Sequence, residues 1–437
     1  MRAMAALVST IPARKFWMLV LGTGLLLRLG AVLYFGDLRS PQLYETGGIA
    51  RHLVAGKGYS TVFPILHADY GHVPRVYEDA TPSAFTLPGF VLVAAGVFYL
   101  VGENSIAYVL LYLLNVTAGL LAVVFISRAA GVLLGEGVAR WTAVLTALYP
   151  GVVVSVATFG GTPWYHLTMG LALWMFVRVP RNSSGTGAAV LAGLAAGMWT
   201  MFRAEGFAAS ILLLFWLGWR SEWRRSAIAF AMLIVVCAPW ALRNTAALGS
   251  FVPFTTNVWL NAWRGNHPEA SGGSFKATGG ANWLTPELRS EIEALPRDRG
   301  YELAVMDVYR RETLNFIKAD PLRATGLYAR KLLMFLSIDW SDKRARSPLY
   351  WVPHALLSIG ACIGAWLLFR RRIDALPLLL IIGLNAVVVS ALHIESRYQM
   401  VLAPLYIIPC AYAVHTWFRQ QTEDTPANGT TMKGIQA

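Results

Sequence analysis

Five uninterrupted apolar stretches, residues 16–36, 105–127, 226–240, 348–368 and 398–418, constrain this chain more than any other feature. Each is as long, or nearly as long, as the roughly 20 residues an α-helix needs to cross a hydrocarbon core of about 30 Å. Lipid offers no water to backbone N–H and C=O groups, so such a run must satisfy them internally as a helix. A barrel would alternate apolar and polar residues, and these runs are continuous. Composition agrees. Of 437 residues 56% are hydrophobic and 14% charged, against about 25% charged in soluble domains. The expected fold class is therefore an all-α polytopic membrane protein.

Further apolar runs at 85–101, 138–159, 164–177, 188–201 and 207–219 crowd between the first helix and residue 240, and three spans close the chain. The net charge is +13. A nucleic-acid binder can carry that balance, but here Arg14, Lys15, Arg178, Arg181, Arg220, Arg224, Arg225, Arg370 to Arg372 and Arg419 flank apolar runs. That is the positive-inside pattern, so those ends are assigned to the cytoplasm. The partner it implies is the bilayer, with no nucleic acid. The basic start of the first helix lacks a small-residue cleavage site and is expected to stay as an insertion signal.

Four regions follow: a transmembrane module at 1–241 with a first periplasmic loop at 37–84, a large periplasmic segment at 242–347, C-terminal transmembrane helices at 348–419, and a disordered cytoplasmic tail at 420–437. Placing both polar segments outside requires an odd number of spans before residue 240, and the plain count is eight. Splitting 138–159 at Pro150–Gly151, where proline interrupts the helical ladder, makes nine and a total of about twelve. Within the large segment, 301–340 has helical periodicity.

No phosphate-binding glycine loop, dinucleotide fingerprint or HExxH pair is present, so no nucleotide cofactor is expected. His67, Asp69 and His72 leave a divalent metal open as an alternative, but their spacing matches no strong template and no metal ligand is assigned. Cys237, Cys362 and Cys410 lie within apolar runs without redox or metal spacing and read as small buried residues. Arg28 sits inside the first apolar run. A charge there is costly and needs a cavity or a partner; an acidic group such as Glu205, or snorkelling outward, would meet that need.

Polar groups gather in the two outer segments. Residues 44–60 read YETGGIARHLVAGKGYS, and 80–90 read ATPSAFTLPGF. An amphipathic helix over 43–55, ended by Gly56 and Gly58, fits the first. Glu45 at its start suits the helix dipole, so capping and catalysis both stand for it.

This stretch resembles the first outer loop of the GT-C superfamily of membrane glycosyltransferases, in the bacterial branch related to protein mannosyltransferases and the aminoarabinose lipid A transferase, a glycosyltransferase family 39-like pattern. The matching residues are Glu45, Ile49, Ala50, Leu53, Gly56, Gly58, Tyr59 and Ser60, then Pro82, Ala84 and Pro88. Similar blocks recur in order at FRAEG (202–206), PWALRN (239–244), WRGNHPEASG (263–272), the D-P-L-R…R-K-L run from Asp320 to Leu332, and HIESRYQMVLAP (393–404). Many relatives carry an Asp just before the Glu-Tyr of this loop, where this chain has Pro41 and Gln42; Asp37 is the nearest acid upstream.

The resemblance implies a sugar donor joined to polyprenyl phosphate and an acceptor that is protein, lipid or glycan. It implies a carboxylate base, Glu45 with Asp37 second, that takes the acceptor's proton, with inversion at the anomeric carbon. It also implies cationic groups for the leaving lipid phosphate. Arg397, Tyr398, Arg243, Arg203 and His393 are the candidates, and Arg264, Asn266 and His267 are expected to line the donor or acceptor loop. Interfacial snorkelling is the competing account of the arginines. The implied location is a bacterial inner membrane with the site facing the periplasm. Two other classes share the composition: a secondary transporter or lipid flippase, which would place charges deep in several spans, and a non-catalytic scaffold derived from a transferase.

Overall fold

Proline and glycine punctuate this chain, and its helices break where they fall. The computed structural model describes residues 10–62, 76, 78–181, 185–273, 284–339, 342 and 347–423. It is almost wholly helical. In chain order the helices are α1 (Ala13–Phe35), α2 (Tyr44–Val54), α3 (Pro88–Val101), α4 (Ser105–Leu134), α5 (Glu136–Leu148), α6 (Pro150–Val154), α7 (Thr162–Arg178), α8 (Gly185–Phe202), α9 (Glu205–Arg220), α10 (Trp223–Leu248), α11 (Val258–Gly265), α12 (Pro286–Glu293), α13 (Tyr301–Ala319), α14 (Pro321–Leu336), α15 (Pro348–Arg370), α16 (Leu376–Ala391) and α17 (Ser396–Glu423). A two-residue ribbon, β1 (Ser60–Thr61) against β2 (Thr81–Pro82), pairs antiparallel within the first polar loop.

Six helices among the described residues are long and apolar enough to cross a membrane: α1, α4, α8, α10, α15 and most of α17. α5 and α6 pass the same test only together, bent by 55°. The bend falls at Tyr149–Pro150, where the sequence places a break. The second half runs only from Pro150 to Ala157, about 12 Å at 1.5 Å per residue, which is less than half the hydrocarbon core. α3 and α16 are shorter apolar helices.

Helices close on one another through small residues. α4 packs along α7, α8 along α10, and α15 along α17. Gly193 and Gly197 of α8, four residues apart, lie against Ala229 and Val236 of α10; Gly360 and Gly364 of α15 meet Cys410 and Pro409 of α17. This G-x-x-x-G spacing lets helix backbones approach where no hydrophobic drive separates helix from lipid. Of the three cysteines, Cys237 and Cys410 are buried as expected, but Cys362 faces outward from α15.

Arg28 corrects the expectation of an acidic partner. It is fully buried, and its guanidinium donates to the carbonyls of Ala147 at 3.1 Å, Gly24 at 3.2 Å and Thr146 at 3.4 Å. Pro150 has no N–H to offer Thr146 four residues back, so the arginine serves the end of a broken helix. Glu205 pairs instead with Arg203 at 2.7 Å. His166 does the same for α17: its Nε2–H donates to the Met400 and Val401 carbonyls at 3.2 and 3.0 Å, and Pro404 leaves Met400 unbonded in the same way.

The segment expected to be helical over 301–340 is two helices. Asp320 ends α13, and its side chain caps α14 by accepting the Arg323 N–H at 3.0 Å.

Candidate active site

The first polar loop is fixed before any chemistry is asked of it. α2 ends as its glycines require, with Gly56 and Gly58 at φ 75° and 69°. Arg51 of α2 forms a bidentate pair with Glu103, both contacts 2.7 Å, which docks the helix on the α3–α4 turn. His52 is buried with Nδ1 2.8 Å from the Ser60 carbonyl, tying α2 to the ribbon. Glu45 stands half-buried in the first turn of α2. Asp37 is exposed. Its Oδ1 accepts the backbone N–H groups of Arg39 and Ser40, each at 2.9 Å, and those bonds, Ser40 first, hold its carboxyl below the usual carboxylate range.

Arg243 holds this loop. Its two terminal nitrogens donate to the Ser83 and Tyr59 carbonyls, and the guanidinium lies over the rings of Tyr59 and Trp240 at 5.1 and 5.4 Å. Glu302 of α13 grips the same place from the other segment. It is 1% exposed and accepts from the Ser83 hydroxyl at 2.6 Å, the Ala84 N–H at 2.9 Å and the Thr256 hydroxyl at 2.6 Å. Burial pushes its carboxyl pKa up, against those hydrogen bonds. The terminal nitrogens of Arg243, expected at the donor phosphate, thus bond groups of the protein: two backbone carbonyls and, at 3.1 Å, Asn244 Oδ1. Neighbouring Asn244 bonds the Val252 carbonyl at 3.1 Å. Sequence reading missed Glu302 because its partners lie over 200 positions away or on a separate loop.

A second group forms where α8 meets α9, α11 ends, and α16 gives way to α17. Arg264 Nη2 donates to Glu395 Oε1 at 2.7 Å, and His393 Nε2–H donates to the same oxygen at 2.9 Å. The His393 ring meets the Tyr398 ring edge-on at 5.6 Å, and the Arg203 guanidinium lies 5.2 Å over Tyr398. Four residues expected at the site, Arg203, Arg264, His393 and Tyr398, are thereby linked. Glu395, at the centre, was visible in the H-I-E-S-R-Y block but was not singled out. The side chain of Arg397 lies outside the described residues, as do His67, Asp69 and His72. Among the described residues no group of three or more His, Cys, Asp or Glu is placed to hold a metal.

Two further residues shape this group. Asn266 Nδ2 donates to the Ala262 and Ala391 carbonyls at 2.7 and 3.1 Å. Lys331 of α14, fully buried, donates to the Leu392 carbonyl at 2.8 Å, Asn266 Oδ1 at 2.9 Å and the Gly265 carbonyl at 3.3 Å. Gly265 is required here: an added Cβ would collide with the Leu392 carbonyl. His267 turns away, packing on Trp263 with ring centroids 5.2 Å apart; its Nδ1 accepts the Glu269 N–H at 3.2 Å.

The two groups are neighbours. The first turn of α3, just past the loop, abuts the turn carrying Arg203; an added Cβ on Gly89 would stand 2.7 Å from the Met201 carbonyl. Carboxylates, arginines and a histidine converge beside the ends of apolar helices, an arrangement suited to an anionic headgroup whose tail remains in lipid.

No family model and no curated protein matches the sequence. Solved structures do. The oligosaccharyltransferase of Archaeoglobus fulgidus, in complex with zinc and sulfate, superposes with a TM-score of 0.56 at 15% identity over 92% of this chain and 50% of its own. The same organism's AglB, in complex with an inhibitory peptide and a dolichol-phosphate, gives 0.56 at 15% over 97% and 53%. ArnT from Cupriavidus metallidurans bound to undecaprenyl phosphate gives 0.45 at 16% over 93% and 79%. The chain spans about half the length of the archaeal enzymes. Over nearly its whole length the chain shares the helical fold of these archaeal structures.

Proposed function

We propose that this protein transfers a sugar from a polyprenyl-phosphate carrier to an acceptor at the periplasmic face of the membrane. The observation that carries the reading is the linked set Arg203, Tyr398, His393, Glu395 and Arg264 beside the ends of apolar helices. Supporting it are the shared fold and the dolichol-phosphate present in the AglB complex.

In this reading Arg203 and Arg264, together with Arg397, bind the lipid phosphate. Glu395 and His393 hold Arg264 in place. Glu45 is the base: it takes the proton from the acceptor nucleophile, which attacks the anomeric carbon as the carbon–oxygen bond to phosphate breaks. The electron pair leaves with the lipid phosphate, whose charge the arginines stabilise. Asp37 is the weaker candidate, because two backbone N–H groups already stabilise its ionised form and lower its basicity. Arg243 and Glu302 position the loop rather than touch the donor.

The test is reconstitution with labelled polyprenyl-phosphate sugars and a membrane extract as acceptor, comparing wild type with Glu45→Gln. Transfer by wild type that collapses in the variant, with donor binding retained, supports both enzyme and base. Equal transfer by both moves the base elsewhere. Absence of both transfer and donor binding across the panel rejects the reading.

A further inference from the structure

The sequence assigns residues 242–347 to an outer soluble segment, but one helix within it is built unlike a soluble one. α14 has two faces. Lys331 on one side is fully buried against the ends of α11 and α16. Leu327, Met334 and Phe335 are buried as well. On the opposite side Leu322, Gly326, Ala329, Leu333 and Leu336, spaced by four and three residues, form one continuous stripe. Leu322, Leu333 and Leu336 are 86%, 67% and 51% exposed. Scattered exposed leucines are ordinary; a helical stripe of them marks a covered surface.

What covers it follows from its neighbours. α14 packs along α16, an apolar helix, and the Tyr328 hydroxyl donates to the Val387 carbonyl at 3.3 Å. Val387 lies one turn inside the end of α16 and is itself 55% exposed, as Val388 is 40% exposed. At its other end α14 meets the start of α17, where Gln399 Nε2 donates to the Met334 and Ser337 carbonyls, each at 2.8 Å. The leucine stripe therefore adjoins the exposed apolar surface of α16 and the start of α17, the second of which is long and apolar enough to cross a membrane. No acidic residue lies between Pro321 and Leu336, while Arg323 and Arg330 lie together along one edge of the stripe, a charge pattern suited to anionic headgroups above an inserted apolar face.

We propose that α14 is a membrane-inserted helix, with its Leu322–Leu336 stripe in the acyl chains of the leaflet at the Arg264–Glu395 end of the bundle. Its buried face then sets the depth of that cluster, because Lys331 and Asn266 bind α14, α11 and the end of α16 into one unit. The cluster lies at the level where a lipid phosphate sits. This placement does not depend on glycosyl transfer and is tested without it.

In a background with Cys237, Cys362 and Cys410 replaced by alanine, Leu333→Cys and Leu336→Cys are each labelled with an environment-sensitive fluorophore. Arg310→Cys on α13 is the aqueous control. The proteins are reconstituted in vesicles of phosphatidylcholine with phosphatidylglycerol, with or without dibrominated acyl chains. Insertion predicts at least a twofold loss of emission at 333 and 336 with brominated lipid, little quenching by aqueous iodide, and the reverse at 310. Quenching of 333 and 336 by iodide alone overturns the proposal. So does protection from both quenchers, which would mean that a second protein surface covers the stripe. Absence of both transfer and donor binding in the unmodified protein, with normal lipid quenching of the labelled variants, would leave α14 in the membrane and reject only the enzymatic reading.

Discussion

Arg28 Nη2 lies 3.4 Å from the Thr146 carbonyl, the oxygen that Pro150 leaves without its helical partner. A buried cation and a helix break, each unfavourable in lipid alone, satisfy one another. Arg28→Met removes the charge but leaves the Thr146 and Ala147 carbonyls unbonded, at about 1–3 kcal/mol for each unsatisfied group. Thermal unfolding in detergent should show the loss. Adding Pro150→Ala, which restores the N–H, should recover part of it; equal loss in the single and double variants would break the link between the two residues.

The base assignment separates two carboxylates. Glu45→Gln is expected to lower kcat by roughly 10²–10⁴ with donor binding unchanged. Asp37→Asn is expected to cost under about tenfold, since this side chain serves its own turn. Steady-state kinetics of both variants on one reconstituted donor decide the matter, and a larger effect at Asp37 would reverse the assignment.

Glu395 joins Arg264 and His393 through a single oxygen. Removing one partner of a buried pair typically costs about 3–5 kcal/mol, and removing both costs less. Glu395→Gln should therefore weaken donor binding and lower stability more than the double replacement Arg264→Met, Glu395→Leu lowers stability. Donor binding should stay lost in the double variant if Arg264 meets the phosphate. Restored binding there would confine Arg264 to a structural role.

Glu302 gives a pH signature. Its carboxyl pKa is raised by burial, so folding takes up a proton. That contribution is full below the unfolded value of about 4.5 and is lost as pH rises through the higher folded value, at up to about 1.4 kcal/mol per unit. Stability measured from pH 4 upward should fall more steeply in wild type than in Glu302→Gln, whose own curve lies lower because its amide cannot accept all three donors. Parallel curves would show Glu302 to be ionised throughout.

The sequence by itself determined the class of solvent and most of the punctuation. Runs of twenty apolar residues must be helices in lipid whatever surrounds them, and Pro150, Gly56, Gly58 and the Asp320–Pro321 pair act on the backbone within a few residues. These effects are local, so they are legible in order along the chain. The apolar runs alone, however, do not reveal the one-sided leucine stripe of α14, because the mean polarity of that helix hides it. Tertiary structure decided which charges meet. Arg28 found carbonyls rather than an acid, Arg243 the Tyr59 and Ser83 carbonyls, and Arg264 a glutamate 131 positions away. Ion pairs and carbonyl contacts act over about 3 Å in space and carry no mark in the sequence. Only packing, here the close approach at Gly265 and Leu392, brings such residues within reach of one another.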